Sequence, residues 1–261
     1  MIENVSPKKF LGQHFLIDEN ISKKIVNSFS LKEFDKIVEI GPGKGALTKY
    51  LFEYSDKLIL VEYDTESVEY IKSSFKIHNP NIIKQDFLKY NLKDVLSQTS
   101  KNLIIGNFPY NISSQIIFKI LENYLLVDNL VGMFQKEVAE RIISKPNSKE
   151  YGIISVKTQL LYDVKILFDV SPNVFFPKPR VNSSVISMTK KKNVNINFDV
   201  KLFDRLVKLS FQQRRKKIKN SLKKLDLKEN ILEDSIFGLR PEQLSVNDFI
   251  KLTQKISNET I

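Results

Sequence analysis

The fold class is indicated by one stretch of the sequence, Lys36-Ile37-Val38-Glu39-Ile40-Gly41-Pro42-Gly43-Lys44-Gly45-Ala46-Leu47-Thr48. It begins as a short apolar strand with one acid, continues as a glycine-rich turn, and ends in a helix-like pattern. Glycines allow a tight turn and close approach of a ligand to the backbone, and a helix N-terminus offers free N–H groups. Because Gly41, Gly43 and Ala46 also fit the dinucleotide-binding pattern, the turn predicts an α/β fold but leaves the ligand open. A purely structural turn is the alternative.

Later strand-like runs also end in polar residues. These runs and their end residues are Leu58-Ile59-Leu60-Val61 before Glu62, Asn81-Ile82-Ile83-Lys84 before Asp86, and Leu103-Ile104-Ile105-Gly106 before Asn107. Ligands of open α/β sheets bind outside the carboxyl ends of the strands, so Gly41, Glu62, Asp86 and Asn107 are predicted to share one site. Glu62 suits ribose hydroxyls, whether the cofactor is NAD or S-adenosylmethionine. Asp86 suits the amine of a cofactor adenine, with Phe87 beside the ring.

The segment Asn107-Phe108-Pro109-Tyr110 suits recognition of a planar amine. The Asn107 side-chain oxygen and the Phe108 carbonyl, fixed by Pro109, can each accept a hydrogen bond from an NH2 group. Two acceptors would turn the amine lone pair out of the ring plane, while Tyr110 stacks on the ring. Adenine N6 fits this description, and the base must leave its stack to reach such a site. An ordinary strand-end turn is the alternative, since Asn and Pro are common turn residues.

Several segments resemble the motifs of one enzyme family. They are Lys9-Phe10-Leu11-Gly12-Gln13-His14-Phe15-Leu16, Glu39-Ile40-Gly41-Pro42-Gly43-Lys44-Gly45, Val61-Glu62-Tyr63-Asp64, Gln85-Asp86, Asn107-Phe108-Pro109-Tyr110, Phe175-Phe176-Pro177-Lys178-Pro179-Arg180-Val181-Asn182-Ser183, Phe211-Gln212-Gln213-Arg214-Arg215-Lys216-Lys217 and Leu239-Arg240-Pro241-Glu242-Gln243-Leu244-Ser245. Over nearly its whole length the chain resembles the class I methyltransferases and, more narrowly, the rRNA adenine N6-dimethyltransferases. Two positions depart from that family's pattern: Phe108 replaces the more common Leu or Ile, and His14 replaces a common Asn.

The resemblance implies a Rossmann-like, largely parallel sheet with a terminal antiparallel hairpin, followed by a small all-helical domain. It implies S-adenosylmethionine as the cofactor, with Gly41 and Gly43 near its methionine part and His14 and Leu16 closing over it. Asn107 through Tyr110 would be catalytic. Phe176 or Phe175 would form the other wall of the base slot, and the remaining one is expected in the hairpin core. The implied substrate is a pair of adjacent adenines near the 3′ end of small-subunit rRNA, in an immature particle.

The excess positive charge is concentrated near the C-terminus. The net charge is +11, and residues 190–261 hold 17 basic and 9 acidic residues, which leaves 24 basic and 21 acidic for residues 1–189. The densest group, Arg214, Arg215, Lys216 and Lys217, falls within a helical pattern. A solvated helix face is the plain interpretation. A polyanion is the favoured partner, because basic clusters supply the sequence-independent part of RNA binding.

Length and pattern predict two domains, residues 1–192 and residues 193–261. The resemblance implies that the first is a methyltransferase domain and the second a helical RNA-binding domain. The chain has no Cys and only His14 and His78, so neither a disulfide nor a Cys- or His-based metal site is expected. It has no long apolar run and no signal-peptide pattern, so a cytoplasmic protein without a membrane partner is expected. A monomer is the default.

Three alternatives stay open at the level of the sequence. An enzyme that methylates large-subunit rRNA and confers antibiotic resistance would share every catalytic motif. The segment from Leu239 to Ser245, however, is more similar to the small-subunit branch. An RNA-binding assembly factor with secondary or lost activity is the second alternative. An NAD-dependent oxidoreductase is the third, and it leaves the Asn-Phe-Pro-Tyr segment and the basic tail unexplained.

Overall fold

A computed structural model of the chain describes residues 5–75, 81–192, 194, 196–225 and 227–259. His78 lies outside these described residues. The chain divides into two compact units, Met1–Ala139 with Asp163–Lys190, and Glu140–Tyr162 with Lys191–Ile261. We call them the sheet unit and the helical unit. In the described part of the chain, no helix is both long and apolar enough to cross a membrane.

A seven-stranded sheet forms the centre of the sheet unit. The strands of the chain are β1 (Phe15–Leu16), β2 (Lys36–Ile40), β3 (Leu58–Glu62), β4 (Ile82–Lys84), β5 (Asn102–Asn107), β6 (Asn129–Gln135), β7 (Tyr162–Val170), β8 (Phe175–Phe176) and β9 (Ser183–Lys190). The large sheet has the order β4-β3-β2-β5-β6-β9-β7. Its first five strands are parallel, and β9 runs antiparallel to β6. The predicted largely parallel sheet with an antiparallel end is therefore confirmed.

Parallel strands buried on both faces are nearly continuous apolar runs, and β2 and β3 fit this description apart from Lys36, Glu39 and Glu62. Every residue of β3 is buried, as are the last four residues of β2. Ile37 of β2 pairs with Leu58 on one side and Leu103 on the other. This register aligns the carboxyl ends of β2, β3 and β5, so the polar residues that follow them meet at one edge.

Helices connect the strands. They are α1 (Glu19–Val26), α2 (Thr48–Leu51), α3 (Thr65–Phe75), α4 (Ser113–Glu122), α5 (Lys136–Ile143), α6 (Ile153–Leu161), α7 (Val200–Gln212), α8 (Ile218–Ser221), α9 (Glu229–Leu232) and α10 (Val246–Glu259). Helix α1 begins after Asp18, whose carboxylate caps it by accepting from the Ile21 N–H at 2.9 Å. Helix α2 is shorter than the pattern suggested, because Gly45 has a φ of +75° and a right-handed helix can start only after it.

The sequence did not predict a second, two-stranded sheet near the N-terminus. Strand β1 pairs antiparallel with β8, with Phe15 opposite Phe176 and Leu16 opposite Phe175. The N-terminal arm, residues 5–17, is thereby joined to the proline-rich loop 171–181. Strands of two residues are too short to produce a hydrophobic period, which explains the omission.

The helical unit has an apolar core of its own. Phe203, Leu206, Phe237 and Phe249 are fully buried in it. Turns at Ser235–Gly238 and Pro241–Gln243 interrupt the helices, as Gly238 and Pro241 predicted. The unit also contains Glu140–Tyr162, which the sequence placed in the first domain. Tyr151 and Val156 belong to the helical core, which explains this assignment. A functional boundary at residue 192 stays a prediction.

Candidate active site

The glycine turn after β2 has a backbone that only glycine adopts easily. Gly41, Gly43 and Gly45 have φ values of +65°, +56° and +75°. A Cβ added at Gly43 would also lie 3.0 Å from the Phe15 ring of the arm. At Gly41 the nearest atom, on Pro109, would be 3.8 Å away. The turn therefore presents bare backbone to the space above it.

That space is a cavity of about 360 Å³ in the sheet unit. Ten of the predicted site residues line it: His14, Leu16, Gly41, Gly43, Glu62, Asp86, Asn107, Phe108, Pro109 and Tyr110. Phe176 and the basic group at 214–217 are not among the lining residues. In the described residues no cluster of three or more His, Asp or Glu side chains is arranged to hold a metal ion.

The Glu62 carboxylate is held by backbone donors at the end of β3. Its two oxygens accept from the N–H groups of Gly43, at 3.1 Å, and Asp64, at 2.8 Å. Burial raises the pKa of Glu62, and these hydrogen bonds oppose the rise. Each carboxylate oxygen keeps a second lone pair, so Glu62 can still accept hydrogen bonds from a diol in the cavity.

Asp86 lies near the end of β4 and shapes the neighbouring backbone. Its Oδ1 accepts from the Leu88 N–H at 2.9 Å. Leu88 lines the cavity, whereas Phe87 is buried and does not. The apolar neighbour of Asp86 in the cavity is therefore Leu88 and not Phe87, because the turn at Asp86 directs the Phe87 ring into the protein.

The Asn107 amide is oriented by the arm. Its Nδ2 donates to the backbone carbonyl of His14 at 2.9 Å. With the NH2 group used in this way, the side-chain oxygen is the part of the amide available to another donor. No described residue donates to this oxygen, which is the arrangement that recognition of an incoming amine requires.

Phe108 is locked between two strands. Its ring is fully buried and lies 5.0 Å from the Phe134 ring, edge to face. A Cβ added at Gly106 or Gly132 would come within 2.6 or 2.1 Å of the Phe108 ring. The large side chain fits because both neighbouring strands have glycine there. Its backbone, including the carbonyl beside Asn107, is held in place by this packing.

Nearly the whole chain also matches a known protein family. The family model described as ribosomal RNA adenine dimethylase matches residues 4–260. The chain belongs to this family. Two curated relatives, each named ribosomal RNA small subunit methyltransferase A, show how close the match is. The protein of Flavobacterium johnsoniae is 52% identical over 100% of this chain and 99% of its own length. That of Phocaeicola vulgatus is 47% identical over 97% and 90%.

Two solved structures share the fold of this adenine dimethylase. A dimethyladenosine transferase from Plasmodium falciparum aligns with a TM-score of 0.81 and 24% identity, over 95% of this chain and 99% of that one. The 23S rRNA methyltransferase ErmE aligns with a TM-score of 0.64 and 22% identity, over 93% and 99%. The class I methyltransferase fold predicted from the sequence is therefore confirmed.

Tyr110 is fixed by a residue of β9. Its hydroxyl lies 2.5 Å from the Oγ of Ser183, which is fully buried. Its ring centroid lies 5.2 Å from that of His14. Burial raises the pKa of the Tyr110 phenol, so the hydroxyl stays protonated at neutral pH. The sequence included Ser183 only in a longer motif, and nothing in the pattern singled it out.

The arm is attached to the rest of the site at several points. His14 Nδ1 lies 2.6 Å from the Pro177 carbonyl, so this nitrogen is the donor. Lys8 forms an ion pair with Asp64 and lies 3.2 Å from Glu66. Together these contacts hold the arm across the cavity, close to the turns after β2 and β5.

Glu39, in strand β2 just before the glycine turn, also lines the cavity and was not predicted as a site residue. Its side chain is buried and accepts from Thr48 Oγ1 at 2.8 Å. Burial raises the pKa of Glu39 to about 8. The available signal was an acid in an otherwise apolar strand.

The basic group of the helical unit lies in a turn and not within a helix as predicted. Helix α7 ends at Gln212 and α8 begins at Ile218. Arg214 donates to the Ser148 carbonyl at 2.9 Å and lies 3.8 Å from Glu242. Arg215, Lys216 and Lys217 are exposed, and none forms an ion pair with a described residue. Of the four cations, Arg214 thus has a structural partner.

Proposed function

We propose that the protein uses S-adenosylmethionine to add two methyl groups to the N6 atom of each of two adjacent adenines near the 3′ end of small-subunit 16S rRNA. The observation that supports this most directly is the Asn107 amide, whose NH2 group is bound to the His14 carbonyl. This bond leaves the amide oxygen, next to the Phe108 carbonyl, as the acceptor for an exocyclic amine. Family membership supplies the substrate class.

The residues around the cavity fit the proposed cofactor. The bare backbone at Gly41 and Gly43 admits the methionine part, and the remaining lone pairs of Glu62 suit the ribose hydroxyls. Asp86 suits the adenine amine, with Leu88 against the ring. His14 and Leu16, which belong to the arm, would close the cavity from above. When bound, the cofactor supplies a methyl group already activated on a sulfonium.

The protein's own contribution to the reaction would be orientation. Asn107 Oδ1 and the Phe108 carbonyl accept the two N6 hydrogens and direct the lone pair out of the ring plane. Tyr110, held by Ser183, supports the ring face. No strong base is needed, because the N6 proton becomes acidic only after methyl transfer. For the second methylation a single N–H remains, and one of the two acceptors suffices.

Phe176 is proposed as the other wall of the base slot. Of the two adjacent phenylalanines, Phe175 is 3% exposed and Phe176 is 58% exposed. Phe175 therefore takes the core position that was expected for one of them. The exposed Phe176 ring, attached to the arm through the β1–β8 pair, is the one free to stack on an extruded base.

RNA binding is proposed to involve the exposed cations Arg215, Lys216 and Lys217, with a smaller part for Arg214. Phosphate contacts of this kind position the RNA without reading its sequence. The proposed substrate is an immature small-subunit particle and the acting form a monomer in the cytoplasm. Both curated relatives described above have names that refer to the small subunit, which favours that branch over a large-subunit enzyme.

The decisive experiment is transfer of labelled methyl groups from S-adenosylmethionine into immature small-subunit particles and, separately, into protein-free large-subunit rRNA. The Asn107→Ala variant removes the proposed acceptor. Asn81→Ala removes another side-chain amide, which binds the Ser55 carbonyl outside the cavity, and serves as the matched control. Dimethyladenine in small-subunit RNA that is lost only in Asn107→Ala is the expected result.

Three other outcomes would contradict the proposal, and each would favour a different function. Label confined to large-subunit RNA would favour the resistance enzyme. RNA binding without label in either substrate would favour an assembly factor. Binding of NAD in place of S-adenosylmethionine would favour an oxidoreductase.

A further inference from the structure

Phe10 is the most exposed large hydrophobic side chain in the described part of the chain. It is 75% exposed, compared with 62% for Ile17 and 60% for Tyr63. Single exposed apolar residues are common on protein surfaces and need no special explanation. Phe10 differs from most of them because it is also one of the residues that line the cofactor cavity. It therefore stands at the mouth of the site.

The backbone around Phe10 is held firmly, so its exposure is not that of a loose terminus. Lys9–Leu11 forms a single 3-10 turn that ends at Gly12, whose φ is +64°. Asn111 Nδ2 donates to the Phe10 carbonyl at 3.2 Å, and a Cβ at Gly12 would lie 2.8 Å from Asn111 Oδ1. Asn111 directly follows the catalytic segment Asn107–Tyr110. The Phe10 ring is thus displayed directly beside the turn that would receive the target adenine.

A base that leaves its stack also leaves its neighbours without a partner on one face. Enzymes and architectural proteins that distort nucleic acids commonly place an apolar or aromatic side chain against such a face. Stacking on an aromatic ring tolerates any base, because every base has a π-face. An exposed phenylalanine at the rim of an adenine pocket has the chemistry for this contact.

We propose that Phe10 stacks on the nucleotide next to the target adenine, with the exposed Lys9 beside it at the phosphate that joins the two. This inference rests on the proposed function and adds an RNA contact of the sheet unit outside the slot for the target base. It assigns to the arm a role in holding RNA besides that of covering the cofactor. The other explanation, that Phe10 only covers the cofactor, makes a different prediction for cofactor affinity.

The test compares Phe10→Ala, Phe10→Leu and Phe10→Trp with the wild type. Phe52→Ala is the matched control, because Phe52 is an exposed phenylalanine of the sheet unit outside the cavity lining. For each variant we would measure the dissociation constants for immature small-subunit particles and for S-adenosylhomocysteine, together with kcat and KM for methylation. Loss of one base–aromatic stack is expected to raise the particle Kd and KM by about tenfold in Phe10→Ala.

The pattern across variants separates the explanations. Phe10→Trp should match the wild type, Phe10→Leu should resemble Phe10→Ala, and neither kcat nor the affinity for S-adenosylhomocysteine should change. Unchanged particle binding in Phe10→Ala, or a parallel loss of S-adenosylhomocysteine affinity, would overturn the inference. If the wild type itself transferred no methyl group to the particles, the proposed function would fail. The particle Kd would then still show whether Phe10 contacts RNA.

Discussion

Glu39 shows how a single buried residue can make stability depend on pH. Its pKa is about 8 in the folded protein and 4.5 for an ordinary Glu, so the folded state holds a proton that the unfolded state loses above pH 4.5. The favourable contribution of this proton is complete below pH 4.5 and is lost as pH rises to 8. We therefore expect the unfolding free energy to fall across this window, by at most about 5 kcal/mol.

Glu39→Gln should remove this pH dependence, because the amide stays neutral and can still accept from Thr48. Urea unfolding between pH 5 and pH 8.5 measures the effect. The exposed Glu53→Gln is the control and should keep the wild-type profile. Parallel profiles for wild type and Glu39→Gln would show that Glu39 does not retain its proton when folded.

The packing of Phe108 against glycine gives a second prediction at the residue scale. A methyl group at position 132 would lie 2.1 Å from the Phe108 ring, so Gly132→Ala should destabilise the protein by about 3 kcal/mol or more. Phe108→Leu replaces the ring by a smaller side chain, and in that background the cost of Gly132→Ala should fall by more than about 1 kcal/mol. Gly238→Ala, with no atom within 4 Å of the added Cβ, is the control in urea unfolding. Strictly additive effects would contradict this packing argument.

The sequence predicted the position of those cavity residues whose location follows from strand order alone. Glu62 and Asn107 end their strands and Asp86 follows one, and parallel strands bring these ends together. Ser183 could not be predicted in the same way. Its role depends on contact with Tyr110, which lies 73 residues away, and no local pattern encodes that contact.

At the scale of elements, the turn between α7 and α8 gives a prediction about RNA binding. Replacing Arg215, Lys216 and Lys217 by Ala should weaken binding to small-subunit particles and reduce its logarithmic salt dependence by roughly 2 to 3, if each contacts one phosphate. Replacing Lys32, Lys89 and Lys93, exposed cations of the sheet unit, controls for net charge. Filter binding at several salt concentrations measures the slope. Equal slopes for the two triple variants would indicate a general charge effect instead of a specific contact surface.

Elements with a clear period were predicted well, and short or irregular ones were not. The helical pattern before the basic group is present as α7, which spans more than two turns. The basic group was placed within a helix because apolar residues such as Leu206, Ile218 and Leu222 recur on both sides of it. All three are indeed buried, but a turn after Gln212 separates the first from the other two. The apolar positions on the two sides of the basic group therefore reflect burial of two separate helices.

At the scale of the whole molecule, the two units are not consecutive in the chain. Composition located the excess charge beyond residue 190, and the second unit does take up the chain again at Lys191. Nothing in the sequence indicated that Glu140–Tyr162 also belongs to that unit. An amphipathic helix such as α6 has an apolar face, but the sequence does not say which core covers it.

This arrangement predicts the behaviour of a fragment that ends at residue 192. All residues that line the cofactor cavity precede Ala139, so the fragment should still bind S-adenosylhomocysteine. It would lack the partners of Tyr151 and Val156, both fully buried in the helical core, and each large apolar side chain left exposed costs about 2 kcal/mol. The fragment should therefore bind a hydrophobic dye and self-associate.

Replacing Tyr151 and Val156 by Ser in the fragment should lower both dye binding and self-association, because the exposed surface would no longer be apolar. Dye fluorescence and sedimentation measure the two effects, and isothermal titration measures cofactor affinity. A fragment 1–192 that stays monomeric and binds no dye would show that the apolar side chains of residues 140–162 are buried against the sheet unit in the fragment. The boundary at residue 192 would then mark an independent methyltransferase domain. If both properties change as expected, the smallest stable form must include the helices beyond residue 192.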